Sequence, residues 1–197
     1  MVTFEQIRKQ FDESLGYIQA DLRKVRCAEP VNYTAALLIS CGCEIIAKRR
    51  LGEAGKANEV FAQLLPPTAE FHLISATLYD GLRNGLVHSF DTQRIVFKNG
   101  HVSITIAWKE GAHLSVTKDL QAAPSIVLNM QTLADRLSAR IEQYRDELQS
   151  TPAARDKFFT SWQSDEQATV HTSDIANAWS SLTGENFEPV PAPKTRK

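Results

Sequence analysis

Arg83, Asn84 and His88 stand close together in Tyr79-Asp80-Gly81-Leu82-Arg83-Asn84-Gly85-Leu86-Val87-His88-Ser89-Phe90, among apolar residues that would otherwise read as plain core. A guanidinium holds negative charge through a fixed fork of donors, and an imidazole moves protons near neutral pH. Together they are equipped to handle a phosphate. On a helix Asn84 and His88, four residues apart, share a face, whereas Arg83 and His88 lie about 140° apart around the axis. Arg83 therefore meets His88 by bending its long side chain, through a kink or close approach at Gly81 and Gly85, or across a second subunit.

A second group of charges lies at Glu44-Ile45-Ile46-Ala47-Lys48-Arg49-Arg50. Glu44 follows the apolar run Leu37-Leu38-Ile39-Ser40-Cys41-Gly42-Cys43, where a carboxylate needs a buried partner or a site to serve. Arg83 is a candidate for that partner. The plainer readings are that Arg83 simply pairs with Glu44 or Asp80 while His88 finishes a helix, and that Glu44 and Lys48 form an ordinary pair one turn apart. Lys48-Arg49-Arg50 also suits a helix C-terminus.

The elements that must position these groups are mostly helical. Thr3 with Gln6 is a capping-box start, and Phe4, Ile7, Phe11, Leu15, Ile18, Leu22 and Val25 recur at helical spacing. Asn32 can cap a second helix, apolar almost all round, which ends at Lys48-Arg49-Arg50 and is stopped by Gly52. A shorter helix over 54–65 is closed by Pro66-Pro67, and another begins at Thr68 and Phe71 and carries the Arg83 segment. From Gln93 the period changes to two, predicting a three-stranded antiparallel meander over 93–117 with turns at Lys98-Asn99-Gly100 and Glu110-Gly111. Pro124 opens the last long helix, from Ile126 to Leu148.

The break at Ser150-Thr151-Pro152 predicts that the main domain spans 1–150. Residues 151–184 are expected to form two short helices around Phe158, Phe159, Trp162 and Trp179, packed on the domain or on a partner, and 185–197 a flexible tail. The fold class is thus mainly α, with a small β insertion before the last long helix.

With 197 residues, 43% of them hydrophobic, the chain can bury one sizeable core. Its 22 basic and 23 acidic residues leave no global field toward nucleic acid or anionic membranes, so any nucleic-acid contact must be local. Cys27, Cys41 and Cys43 form no CxxC, and the longest apolar stretch, Ala35 to Ala47, is interrupted by Ser40, Gly42 and Glu44. The expectation is a cytoplasmic protein away from membranes. Cys41 and Cys43 read as small buried thiols, and His101 with His113, on different strands of the meander, makes a poor metal site. Neither a metal nor another cofactor is expected.

Arg83-Asn84-Gly85-Leu86-Val87-His88 resembles the Arg-polar-x-x-x-His signature of HEPN domains, and Glu44 through Arg49 resembles the Glu-x-x-x-Lys-Arg element of some members. The resemblance covers roughly residues 3 to 150, with the meander as an insertion. It implies an antiparallel helical bundle that forms a homodimer and cleaves RNA without metal in the cleft between subunits, as a toxin or defence component. Arg83, Asn84 and His88 would then be the catalytic residues: Arg83 on the scissile phosphate, His88 as general base or acid, and Asn84 orienting the His or a phosphate oxygen. Glu44, Lys48, Arg49, Tyr79 and Asp80 would support them or the substrate. RNA or a nucleotide, a second copy, and a protein antitoxin or regulator are the partners implied. Phe90 departs from the pattern, since many members carry Tyr there. The alternative is a non-catalytic module of the same fold that binds RNA, a nucleotide or a protein.

Overall fold

The computed structural model describes residues 1–27, 32–89, 94–98, 100–108, 113–117 and 124–166. Its first helical run starts where Gln6 Oε1 accepts the Thr3 backbone N–H at 2.8 Å. It passes through α1 (Phe4–Phe11), a wider π-helical turn at Asp12–Gly16, and α2 (Tyr17–Cys27). Ile7, Phe11, Leu15 and Leu22 are buried along one face of it. Next, α3 (Asn32–Ile46) buries Ala35, Ala36, Ile39, Cys43 and Ile46 and widens into a π-helical turn at Ala47–Leu51. Gly52, at φ 85°, takes the left-handed conformation that ends it and donates its N–H to Lys48 O at 3.0 Å.

A single turn at Ala54–Lys56 leads into α4 (Ala57–Ala62), and Pro66-Pro67 separates it from α5 (Ala69–Ser89), which packs on α3 and α4. The long α6 (Met130–Ser150) lies against α3 so closely that a Cβ added to Gly42 would stand 2.7 Å from Leu137 Cδ2 and 3.4 Å from Ile18 Cγ2. Leu137 is fully buried and has nowhere to retreat. Gly42→Val is therefore expected to cost about 1–3 kcal/mol by overpacking, read from denaturant unfolding. Unchanged stability would mean that the two helices are not in this contact.

The β layer differs from a three-stranded antiparallel meander. It is a four-stranded mixed sheet in the order β1 (Arg94–Phe97), β2 (Gly100–Ala107), β4 (Ser125–Asn129), β3 (Val116–Thr117). The hairpin of β1 and β2 is antiparallel as expected, with Phe97 opposite Gly100, but β2 pairs parallel with β4 and only β4 takes β3, antiparallel. Ser125–Asn129 is therefore strand and not the opening of the last helix. The β-branched pair Ile126-Val127 suits extended backbone, and Asn129 then caps α6 by accepting the Thr132 N–H at 3.0 Å. His113 falls in a turn and not in a strand.

That turn carries a pH-sensitive group. His113 Nδ1 accepts the Asn129 N–H at 3.2 Å, which requires the neutral ring, and burial together with the Arg136 charge pushes the imidazole down to about 4. The unfolded chain takes up the proton near 6.5, so the stability this site contributes is whole above that pH and is lost as pH falls toward 4. Denaturant midpoints are expected to drop across this window, and to drop less in His113→Gln. Equal pH slopes in the two proteins would contradict the burial of this ring.

Residues 1–161 form one compact unit and 162–197 a second. The first runs past the boundary at 150, because α7 (Pro152–Glu166) begins directly after α6 and buries Phe158 in the helical core. Phe158 completes an aromatic cluster whose centroids lie 6.3 Å from Phe11 and 6.4 Å from Tyr144. Residues 152–166 form one helix, while the second short helix expected around Trp179 and the tail at 185–197 lie outside the described residues. Among the described residues no helix is long and apolar enough to cross a membrane.

Candidate functional site

Helices α3 and α5 bring Glu44 and Arg83 together. Arg83 Nε donates to Glu44 Oε1 at 2.9 Å, and Arg83 Nη1 donates to Asn84 Oδ1 at 3.1 Å. The guanidinium is thereby held on two sides, while Nη2 has no partner among the described residues. Its pKa is raised by the Glu44 hydrogen bond and charge, so it stays a cation. Both side chains remain more than a third exposed, at 40% for Arg83 and 36% for Glu44. An ion pair this exposed contributes at most about 1 kcal/mol to stability. Its consequence is orientation.

Tyr79 lies one turn before Arg83 on the same face of α5 and is fixed by packing on Phe61, ring centroids 5.5 Å apart. Its hydroxyl is within 3.4 Å of Glu44 Oε1 and 3.5 Å of Ser40 O, both long contacts. Burial, then the neighbouring Cys43 and Glu44, push the Tyr79 hydroxyl up, so it remains a proton donor toward that carboxylate. Asp80 is exposed at the rim. Glu44, Asn58, Tyr79, Asp80, Arg83 and Asn84 line an open pocket of about 410 Å³.

Of the residues singled out in the sequence, Glu44, Tyr79, Asp80, Arg83 and Asn84 thus share one pocket. His88 is on α5 one turn beyond Asn84, and its side chain lies outside the described residues, as does Phe90. The helix continues through Gly81 and Gly85, both buried.

Lys48 and Arg49 are elsewhere. Arg49 is 7% exposed, donates from Nη1 to Ser161 Oγ at 3.1 Å, and places its guanidinium carbon 5.9 Å from the centroid of Phe158. Neither Lys48 nor Arg49 lines the Arg83 pocket. Arg49 stands five residues after Glu44, well off its face of the helix, and packs on α7 instead. Gly55, Ala57 and Asn58 also line the pocket without a mark in the sequence, and Asn58 is the polar one. It sits on a short helix with no periodic or motif signal to mark it.

Cys43 is buried as expected, but Cys41 is exposed, one turn before Glu44. Partial desolvation of the sulfur, followed by the Glu44 charge, pushes the Cys41 thiol up. Among the described residues no three His, Cys, Asp or Glu side chains are grouped so as to hold a metal ion. What the pocket offers chemically is one oriented guanidinium, two amides and a phenol, with the Glu44 carboxylate behind them and the Asp80 carboxylate at the rim. Comparison with protein-family models, with curated proteins and with solved structures finds no match to this chain.

Proposed function

We propose that this chain is a HEPN-type endoribonuclease that cleaves RNA without a metal, at a cleft formed by two copies of its Arg83–His88 segment. The observation that carries the reading is the chain Glu44–Arg83–Asn84: a guanidinium held on two sides in an open pocket, one helical turn before His88. Such an arrangement prepays the ordering of a phosphate-binding fork. In this reading Arg83 contacts the non-bridging oxygens of the scissile phosphate and stabilises the charge that grows on them. Glu44 and Tyr79 position Arg83 without touching substrate.

His88 is the proton-transfer group. The 2′-oxygen forms a bond to phosphorus as the bond from phosphorus to the 5′-oxygen breaks, leaving a 2′,3′-cyclic phosphate. One imidazole accepts the 2′-hydroxyl proton and a protonated imidazole supplies the 5′-oxygen. A single neutral His88 cannot fill both roles at once, so the reading assigns the second to another copy of the chain. A toxin or defence role is the setting the resemblance suggests for such an activity.

The full chain is expected to cleave single-stranded RNA in excess EDTA, to leave cyclic phosphate ends, and to run as a dimer in light scattering. RNA left intact by a folded dimer would count against the reading.

A specific observation favours the protein-binding form of the alternative, a non-catalytic module of the same fold. Glu44 and Asp80 face the single Arg83 in the pocket, so one copy carries more negative than positive charge there, which disfavours a phosphate. Under that reading Asp80→Asn leaves RNA binding unchanged. Under the ribonuclease reading it lowers KM.

A further inference from the structure

Asp80 lines the Arg83 pocket, where a carboxylate works against the phosphate that the ribonuclease reading places there. Glu44 has a task in that pocket, because it accepts from Arg83 Nε at 2.9 Å. Asp80 has none within the protein. It stands three residues before Arg83 and four before Asn84, on the same side of α5, and its charge reaches Arg83. Even so, it makes no hydrogen bond or ion pair among the described residues. Asp80 is exposed, so both of its oxygens are left to a ligand.

Asn58 is the second uncommitted group. It enters the pocket from α4, is half-buried, and its amide has no hydrogen-bond partner among the described residues. Because α4 packs on both α3 and α5, this amide and the Asp80 carboxylate are held on neighbouring helices of one unit. The remaining wall is Gly55 and Ala57, which offer no side chain larger than a methyl group. Nothing lies within 4 Å of where a Cβ on Gly55 would stand, so the wall leaves room for a flat ring. At about 410 Å³ the pocket lies within the usual range for small-ligand sites.

Such a set of groups selects among the RNA bases. A carboxylate binds two adjacent N–H donors, and only guanine presents such a pair, at N1 and the 2-amino group of its Watson–Crick edge. Uracil has a single N–H between two carbonyl oxygens. Adenine and cytosine set their amino group beside a ring nitrogen that is itself an acceptor, which a carboxylate repels. The guanine O6, next to N1, takes a donor. An amide supplies one.

We propose that the pocket reads an unpaired guanine beside the phosphate held by Arg83, with Asp80 accepting from N1–H and the 2-amino group and Asn58 donating to O6. This assignment, which rests on the ribonuclease reading, gives that site its preferred base. Asp80 then has two opposite effects. At other bases its carboxylate only repels the chain, so its loss lowers KM there and in RNA of mixed sequence. At guanine the two hydrogen bonds outweigh the repulsion.

The test is binding of the full chain to labelled 2′-O-methyl tetranucleotides, read by fluorescence anisotropy. Such RNA cannot form a 2′,3′-cyclic phosphate, so affinity is measured whether or not the chain cleaves. One internal position carries guanine, adenine, cytosine, uracil or hypoxanthine in a background of cytosine. Guanine is expected to bind at least about tenfold more tightly than the other standard bases, as a bidentate pair discriminates. Hypoxanthine, which lacks the 2-amino group, should bind about threefold more weakly than guanine. In Asp80→Asn the preference should vanish, with the guanine RNA bound more weakly and the cytosine RNA more tightly than by the unaltered chain. Asn58→Ala should reduce the preference about threefold. Cleavage of the same sequences as ordinary RNA in excess EDTA separates the two readings. Cleavage with equal affinity for every base overturns the guanine assignment and leaves the ribonuclease standing, whereas guanine preference without cleavage upholds the assignment and overturns the ribonuclease. No binding of any tetranucleotide, or a guanine preference that survives Asp80→Asn, would also overturn the proposal.

Discussion

Arg83→Ala is expected to lower the rate of RNA cleavage by about 10²–10³-fold, the usual consequence of removing a donor that meets charge only in the transition state. The loss should fall on kcat more than on KM, because the charge that Arg83 meets grows only as the transition state forms. Arg83→Lys should recover little of it. A lysine ammonium cannot face Glu44 from Nε, Asn84 from one Nη and a phosphate from the other at the same time. Glu44→Gln retains an acceptor for Nε and should cost only severalfold, with the pH profile of kcat unmoved. Stability measured alongside should change little, since the Glu44–Arg83 pair is partly exposed. If Arg83→Ala instead unfolded the protein and left cleavage per folded molecule unchanged, Arg83 would be a strut and not a substrate contact.

The second large effect concerns the scaffold. Phe158→Ala is expected to destabilise the protein by about 3–5 kcal/mol, as truncations of fully buried aromatics do. The ring is completely enclosed, lies against Phe11 and Tyr144, and has the Arg49 guanidinium 5.9 Å from its centroid. Its removal leaves a cavity walled by α1, α6 and the turn after α3. Because α3 also carries Glu44, loss of Phe158 should lower cleavage activity near the melting temperature before it does so in the cold. Phe159, next in sequence and only partly buried, is the internal comparison, and its alanine variant should cost clearly less. A shift in the denaturant midpoint below about 1 kcal/mol for Phe158→Ala would mean that α7 does not close this core.

These two residues also mark where the sequence could and could not be read. Helix starts and stops were legible where they rest on local chemistry: Gln6 reaching back to Thr3, Gly52 in the left-handed region, Pro66-Pro67 ahead of α5. The Glu44–Arg83 pairing was legible for a different reason. A carboxylate following an apolar run needs a compensating group, and the next helices offer few cations on apolar stretches.

What was not legible is non-local. Ser125–Asn129 carries Ile126, Val127 and Leu128, a run that suits a buried strand as well as a helix, and only its parallel partner β2, some twenty residues back, decides between them. Phe158 has the same spacing whether α7 packs on its own core or on another protein, so the break at Pro152 looked like the edge of the domain. Arg49 was drawn to the Arg83 pocket by the motif resemblance, although it stands five residues after Glu44 and so off its face of the helix. Asn58 joins the pocket through a short helix whose position depends on α3 and α5 rather than on any signal of its own.

The ribonuclease reading rests finally on His88 as a proton-transfer group next to an oriented Arg83. The most direct measurement is the cleavage of a labelled single-stranded RNA in excess EDTA by the full chain and by His88→Ala, prepared together and matched by melting temperature. The account predicts cyclic phosphate products from the first and a loss of at least about 10²-fold in the second. Equal rates for the two proteins would contradict it.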